Sequence, residues 1–176
     1  MRLPSDDVTG MIGLLTCETE GTIGCGTSRE DEMIPPFDPD GDLPPGRHTA
    51  TWQEFQERFC RFTHSDRRLQ FCRSIAQMID EARAAHIVER VIFGGSFVSA
   101  RPEPNDFDCL VVLQAGTAYE TLQPFQRWVA DTREASRRYR GDIFVARTDQ
   151  PTLALYGDFF AMNRHGKPVG LVEVTL

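Results

Sequence analysis

Lysine is almost missing from this 176-residue chain: 18 of its 19 cationic residues are arginine, and Lys167 stands alone. No apolar run approaches the roughly 20 residues needed to span a bilayer, which predicts a protein with no membrane partner. The start, Met1-Arg2-Leu3-Pro4-Ser5-Asp6-Asp7, carries acids where a secretory signal carries a positive flank. A cytoplasmic location is expected. Five cysteines (17, 25, 60, 72 and 109) contain no C-x-x-C pair, which argues against a structural zinc site. Cys72 and Cys109 fall in apolar stretches and read as small core hydrophobes, and free thiols suit a reducing compartment. The histidines (48, 64, 86 and 165) show no ligand spacing.

The net charge of −7 sits in one place. Residues 1–50 hold ten acids against three bases, whereas the rest of the chain is balanced at 16 of each. A pI near 5.1 disfavours a protein held to nucleic acid mainly by charge, without excluding a nucleic-acid substrate. Residues 1–32 mix Gly, Thr, Ser and Glu around a short apolar patch at residues 11–15, and are expected to be a mobile extension. The domain proper is expected over 33–176. Five prolines between Pro35 and Pro45 forbid regular helix there and predict an extended segment anchored by Phe37 and Leu43.

Hydrophobic periodicity supplies the elements. Thr51-Trp52-Gln53-Glu54 has capping-box spacing and opens a short helix. Ser65 or Asp66 opens a second, with Leu69, Cys72, Ile75, Ala76, Ile79 and Ala82 as its buried stripe. Strands are expected at 88–93, 107–113, 143–146 and 169–176, with one amphipathic helix from Tyr119 to about Tyr139. Trp52 and Trp128 read as core residues. The order helix, strand, strand, helix, strand, strand gives an α/β (α+β) fold: a small mixed sheet with flanking helices.

The chemistry concentrates in residues 93–108. A strand ends in Gly94-Gly95-Ser96, and Asp106-Phe107-Asp108 stands at the mouth of the next strand. Glycines let backbone approach a phosphate, amides at the start of a following helix point donors at it, and Ser96 adds a hydroxyl donor. Residues i and i+2 of a strand share a face, so Asp106 and Asp108 aim at one point. Two such carboxylates plus substrate phosphates are a common way of holding Mg²⁺. Asp142, opening the third strand, is the candidate third carboxylate of a two-metal site. Arg133, Arg137, Arg138 and Arg140 form a basic helix end, either a solvated face or a landing strip for phosphate.

The Gly-Gly-Ser then Asp-x-Asp pattern resembles the nucleotidyltransferase superfamily typified by DNA polymerase beta, especially its minimal bacterial members. Over residues 33–176, Leu43-Pro44-Pro45-Gly46, Gly95-Ser96-Phe97-Val98, Pro104-Asn105-Asp106-Phe107-Asp108 and Gly166-Lys167-Pro168-Val169-Gly170-Leu171 resemble an uncharacterised bacterial family of such domains. The resemblance implies a nucleotidyltransferase-like fold and a Mg²⁺- or Mn²⁺-dependent enzyme. Such an enzyme moves a nucleoside monophosphate from a nucleoside triphosphate to a hydroxyl on RNA, protein or a small molecule. It implies Asp106, Asp108 and Asp142 as catalytic, metal-holding acids and Gly94, Gly95 and Ser96 as triphosphate contacts. Arg164 and Lys167, flanking a turn, are further candidates for the triphosphate. By analogy with small bacterial relatives, a toxin–antitoxin or phage-defence role with a cognate partner protein is expected. The alternative is a catalytically silent module that binds nucleotide or docks a partner, antitoxin-like, through the Pro-rich segment and acidic head.

Overall fold

A computed structural model of the chain describes residues 34–61 and 66–176. The expectations for residues 1–32 lie outside the described residues, as do Cys17, Cys25 and His64. The fold is α+β: a mixed five-stranded sheet with helices on both faces. Its strands are β1 (Gly46–Ala50), β2 (Val88–Gly94), β3 (Asp108–Leu113), β4 (Asp142–Arg147) and β5 (Gly170–Thr175), in the order β1-β5-β2-β3-β4. Strand β2 is antiparallel to both β3 and β5, whereas β1–β5 and β3–β4 are parallel.

Alternation along the strands sorts two cores. On one face Val91, Phe93, Cys109, Val111, Ile143, Val172 and Val174 join the main core with α1 (Trp52–Phe59), α2 (Asp66–Ala85), α3 (Pro124–Ala130) and α4 (Thr132–Tyr139). On the other, Ile92, Leu110, Val112, Ala146 and Leu171 form a smaller cluster under Phe160 of α5 (Thr152–Phe160). Asp108 shares its parity with Leu110 and Val112, so its carboxylate belongs to the thinly covered α5 face.

Several expectations are refined. Thr51 and Glu54 do form the reciprocal capping box, which also lowers the Glu54 pKa through the Thr51 amide and hydroxyl. In α2 Cys72, Ile75, Ile79 and Ala82 are buried as expected, but Leu69 is 45% exposed and Arg68 is fully buried in its place. Arg68 lies four and seven residues before Cys72 and Ile75, so it falls on the same face. The single helix expected over 119–139 is three pieces: a 3₁₀ turn at Tyr119–Thr121, α3 and α4. Pro124 restarts the helix at its first turn. Asp131 then breaks it with an extended backbone and caps α4, accepting from the Arg133 and Glu134 amides. Trp128 is 37% exposed rather than core, with the Arg138 guanidinium 4.0 Å over its ring. Strand β1 and helix α5 are additions that periodicity did not reveal.

The thiol expectation is corrected at two positions. Cys60, capping α1, is disulfide-bonded to Cys72 in α2, which fastens these helices together across a separation of 12 residues. Cys109 is a buried free thiol beside the Met78 sulfur, as expected of a core hydrophobe. The Pro-rich segment packs: Leu43 is buried, and Phe37 sits against Phe59 with Arg58 over its ring.

Candidate functional site

Strand β2, central in the sheet, ends at Gly94, and the chain turns through Gly95–Val98 as one 3₁₀ turn rather than the start of a long helix. Gly95 has φ +67, a left-handed conformation that favours glycine. A β-carbon there would fall 2.0 Å from Asp108 Oδ2, so only a bare α-carbon lets the turn lie against that carboxylate. Ser96 follows with its hydroxyl oxygen buried and without a hydrogen-bond partner, which is costly unless a ligand satisfies it.

Asp108 opens β3 directly opposite Gly94 and, on its other side, opposite Asp142 of β4. Neighbouring strands lie about 4.8 Å apart, so the two acids start adjacent strands side by side. The alignment has a local cause. Gly141 has no side chain, and a β-carbon would overlap the Phe107 ring at 2.3 Å. The ring therefore lies on the Gly141 backbone while the Asp142 amide donates to the Phe107 carbonyl at 2.9 Å. Arg140, left-handed at φ 58, ends α4 and turns the chain into that contact.

The electrostatics follow from this crowding. Burial first, then the negative charges of Asp106 and Asp142, push the Asp108 carboxyl up to about 6. Arg164 opposes that rise, which places its charge within electrostatic reach of Asp108. A cavity of about 550 Å³ opens here, lined by Gly95, Ser96, Asp106, Asp108, Arg164 and residues of α5. That volume falls within the range of small-molecule sites.

Lys167 is elsewhere. Its ammonium reaches Asp38 at 2.8 Å, Asp40 at 2.5 Å and Asp42 at 3.4 Å, binding the Pro-rich segment to the 163–168 turn. It is absent from the cavity lining, and Gly94 also stands behind the cavity, its α-carbon facing Leu171 and Phe160. The basic helix end is partly committed as well: Arg138 grips Glu81 through two hydrogen bonds, and Arg137 pairs with Glu134.

Arg68 is the residue sequence reasoning missed most plainly. Its guanidinium donates to the carbonyls of Phe59, Phe97, Ser99, Arg101 and Pro102 at 2.6–3.2 Å. Those carbonyls belong largely to the loop joining Ser96 to Asp106, so one buried cation shapes it. Burial lowers the Arg68 pKa to about 10, which leaves it charged at neutral pH. Ser99 adds a bond to the Ser96 carbonyl at 2.7 Å, and Ala100 donates to Gly41 of the Pro-rich segment at 2.8 Å. Asp158, Phe159, Asn163 and His165 also line the cavity, brought by α5 and the turn after it. The apolar spacing of Leu153, Tyr156 and Phe160 was the available signal for α5.

A divalent cation can be tested against these residues. Among the described residues no three His, Cys, Asp or Glu side chains close into a cage. Mg²⁺ seldom needs one, because it is held by one or two carboxylates with waters and substrate phosphates. Asp106 and Asp108, the latter with its carboxyl pKa raised and both on the same cavity as the unpartnered Ser96 hydroxyl, fit that partial set.

Residues 35–175 match a family of unknown function, DUF6932. The chain belongs to this family. No curated protein matches the chain. No solved structure matches it either. The family description supplies no chemistry, so the reading of function rests on the site.

Proposed function

We propose that the protein is a nucleotidyltransferase that moves a nucleoside monophosphate from a nucleoside triphosphate to an acceptor hydroxyl. The observation carrying this reading is the juxtaposition where β2 ends and β3 and β4 begin. Gly95 lies against the Asp108 carboxylate, the buried and unpartnered Ser96 hydroxyl comes next in the same turn, and Asp142 is the strand partner of Asp108. Backbone at the Gly95 turn leaves room for a phosphate, and the Ser96 hydroxyl donates to it. Arg164, which lines the same cavity, offers charge to the same phosphates.

Asp106 and Asp108 would hold Mg²⁺ or Mn²⁺, which when bound neutralises charge on the transferring phosphoryl group. In the transfer the acceptor oxygen bonds to the α-phosphorus and the bond to the bridging oxygen breaks, releasing pyrophosphate. Asp142 accepts the acceptor proton. Arg68 keeps the Ser96 and Asp106 ends of their loop in register, supplying positioning rather than contact. The acceptor is a hydroxyl of RNA, protein or a small molecule, and a cognate partner in a toxin–antitoxin or defence pair accords with this chemistry.

The test incubates the protein with Mg²⁺ and each labelled triphosphate plus lysate, alongside Asp108→Asn. Expected is label on RNA or protein with the wild type and none with the variant. Triphosphate binding without label supports the silent nucleotide-binding module instead. Neither binding nor label overturns both.

A further inference from the structure

Helix α5 has an apolar stripe that the fold does not use. Phe160 is buried at 5% exposure, so its neighbour Phe159 turns outward and is 66% exposed. Leu155, one turn earlier, is also 66% exposed, and Met162, just past the helix, is 47% exposed. Exposed large apolar side chains in a line call for an occupant. Two of the three, Phe159 and Met162, line the same cavity as Ser96, Asp108 and Arg164.

Phe159 is held rather than loose. Phe160 meets its ring at 70° with centroids 5.6 Å apart, and Phe144 of β4 lies 6.3 Å away. The cavity therefore has two chemistries in continuity: a polar end with a hydroxyl donor, carboxylates and an arginine, and an apolar rim bearing an exposed ring. A ligand matching both has an anionic chain at one end and a flat aromatic group at the other. That is the shape of a nucleoside triphosphate.

We propose that Phe159, flanked by Met162, is the stacking platform for the base of the nucleoside triphosphate. This inference rests on the nucleotidyltransferase reading and adds the location of the base. Stacking on a fixed ring recognises any base by its π-face, so the platform supplies affinity more than choice of base.

The experiment titrates the full chain with Mg²⁺ and either ATP or inorganic tripolyphosphate, which carries the phosphates without a base. It compares wild type, Phe159→Leu and Phe159→Trp by calorimetry. Leucine keeps apolar contact with Phe144 and Phe160 but removes the ring, so the variant retains the fold. Expected is an ATP affinity roughly ten-fold or more weaker in Phe159→Leu, retained in Phe159→Trp, with tripolyphosphate unaffected in both. Equal weakening of both ligands, or ATP affinity untouched in Phe159→Leu, overturns the platform while leaving the phosphate site standing. If wild type binds neither ligand, the platform falls together with the reading beneath it.

Discussion

Two groups of three aspartates lie in this molecule, and they are handled in opposite ways. Asp38, Asp40 and Asp42 surround the Lys167 ammonium. The Lys167 hydrogen bond and the Asp42 amide hold the Asp38 carboxyl below its ordinary pKa. Asp106, Asp108 and Asp142 have no such internal cation among them, and Asp108 rises to about 6 despite the influence of Arg164. The first group is partly offset by a cation of the chain itself, one ammonium against three carboxylates, and serves the fold. The second keeps its repulsion, which is the arrangement expected where an incoming cation or phosphate-bound metal is to be received.

The largest break in this contrast comes from removing the charge at Asp108. Asp108→Asn should abolish transfer and any Mg²⁺-dependent rise in melting temperature, seen by label transfer and thermal scanning. Its metal-free stability at neutral pH should be equal or higher, by up to about 2 kcal/mol, since the folded protein no longer confines a charge it disfavours. Severe destabilisation with the metal response intact would make the acids structural.

Gly95→Ala attacks the same cluster from the other side. The new β-carbon would fall 2.0 Å from Asp108 Oδ2 in a left-handed backbone, forcing the carboxylate away. Transfer should fall at least a hundred-fold, since small misplacement at a reacting centre is that costly. Unchanged turnover would show that contact to be incidental.

A pH series sharpens the contrast without mutation. The folded Asp108 pKa of about 6 lies above its ordinary 3.8, so the folded state binds the proton more tightly than the unfolded state. Metal-free stability should therefore decline as pH rises from about 4 to 6 and level off above, relative to Asp108→Asn. The comparison is made by urea unfolding of both proteins across that window. Identical pH curves would place Asp108 outside the repulsive cluster.

The smallest effect is expected at Lys167. Lys167→Met should lower the melting temperature modestly and leave Mg·ATP binding as it was, because the side chain is a clasp on the Pro-rich segment. Having lost its internal cation, the Asp38 group should then respond thermally to Ca²⁺ where wild type does not at that position. A drop in Mg·ATP affinity would return Lys167 to the triphosphate.

Much of this molecule was legible in the chain. Capping at Thr51 and the apolar run of β3 are local statements, and each became the element expected, whereas the residues after Gly94 form a 3₁₀ turn in place of a helix and Asp106 lies two residues before β3 instead of within it. The errors share a cause. Leu69 and Arg68 are adjacent in α2, and which one turns inward depends on carbonyls offered by a loop some 30 residues on. Lys167 and Arg164 flank one turn, yet only contacts to distant aspartates decide that one faces the clasp and the other the cavity. Cys60 and Cys72 meet because α1 and α2 pack together, which spacing alone does not reveal. Strand β1 escaped notice because its partner β5 is more than a hundred residues away and its own pattern is weak.

By itself the sequence determined the alternation of helices and strands, the placement of a carboxylate pair at a strand mouth, and the glycines that let backbone approach it. These depend on period, propensity and sterics within a few residues. Tertiary structure decided what those pieces face. Register brought Asp142 beside Asp108, Phe107 on Gly141 fixed that alignment, and α5 carried an exposed ring to the cavity. Charge, burial and neighbour identity act through space, so the chemistry of the site was settled only when the chain had folded around it.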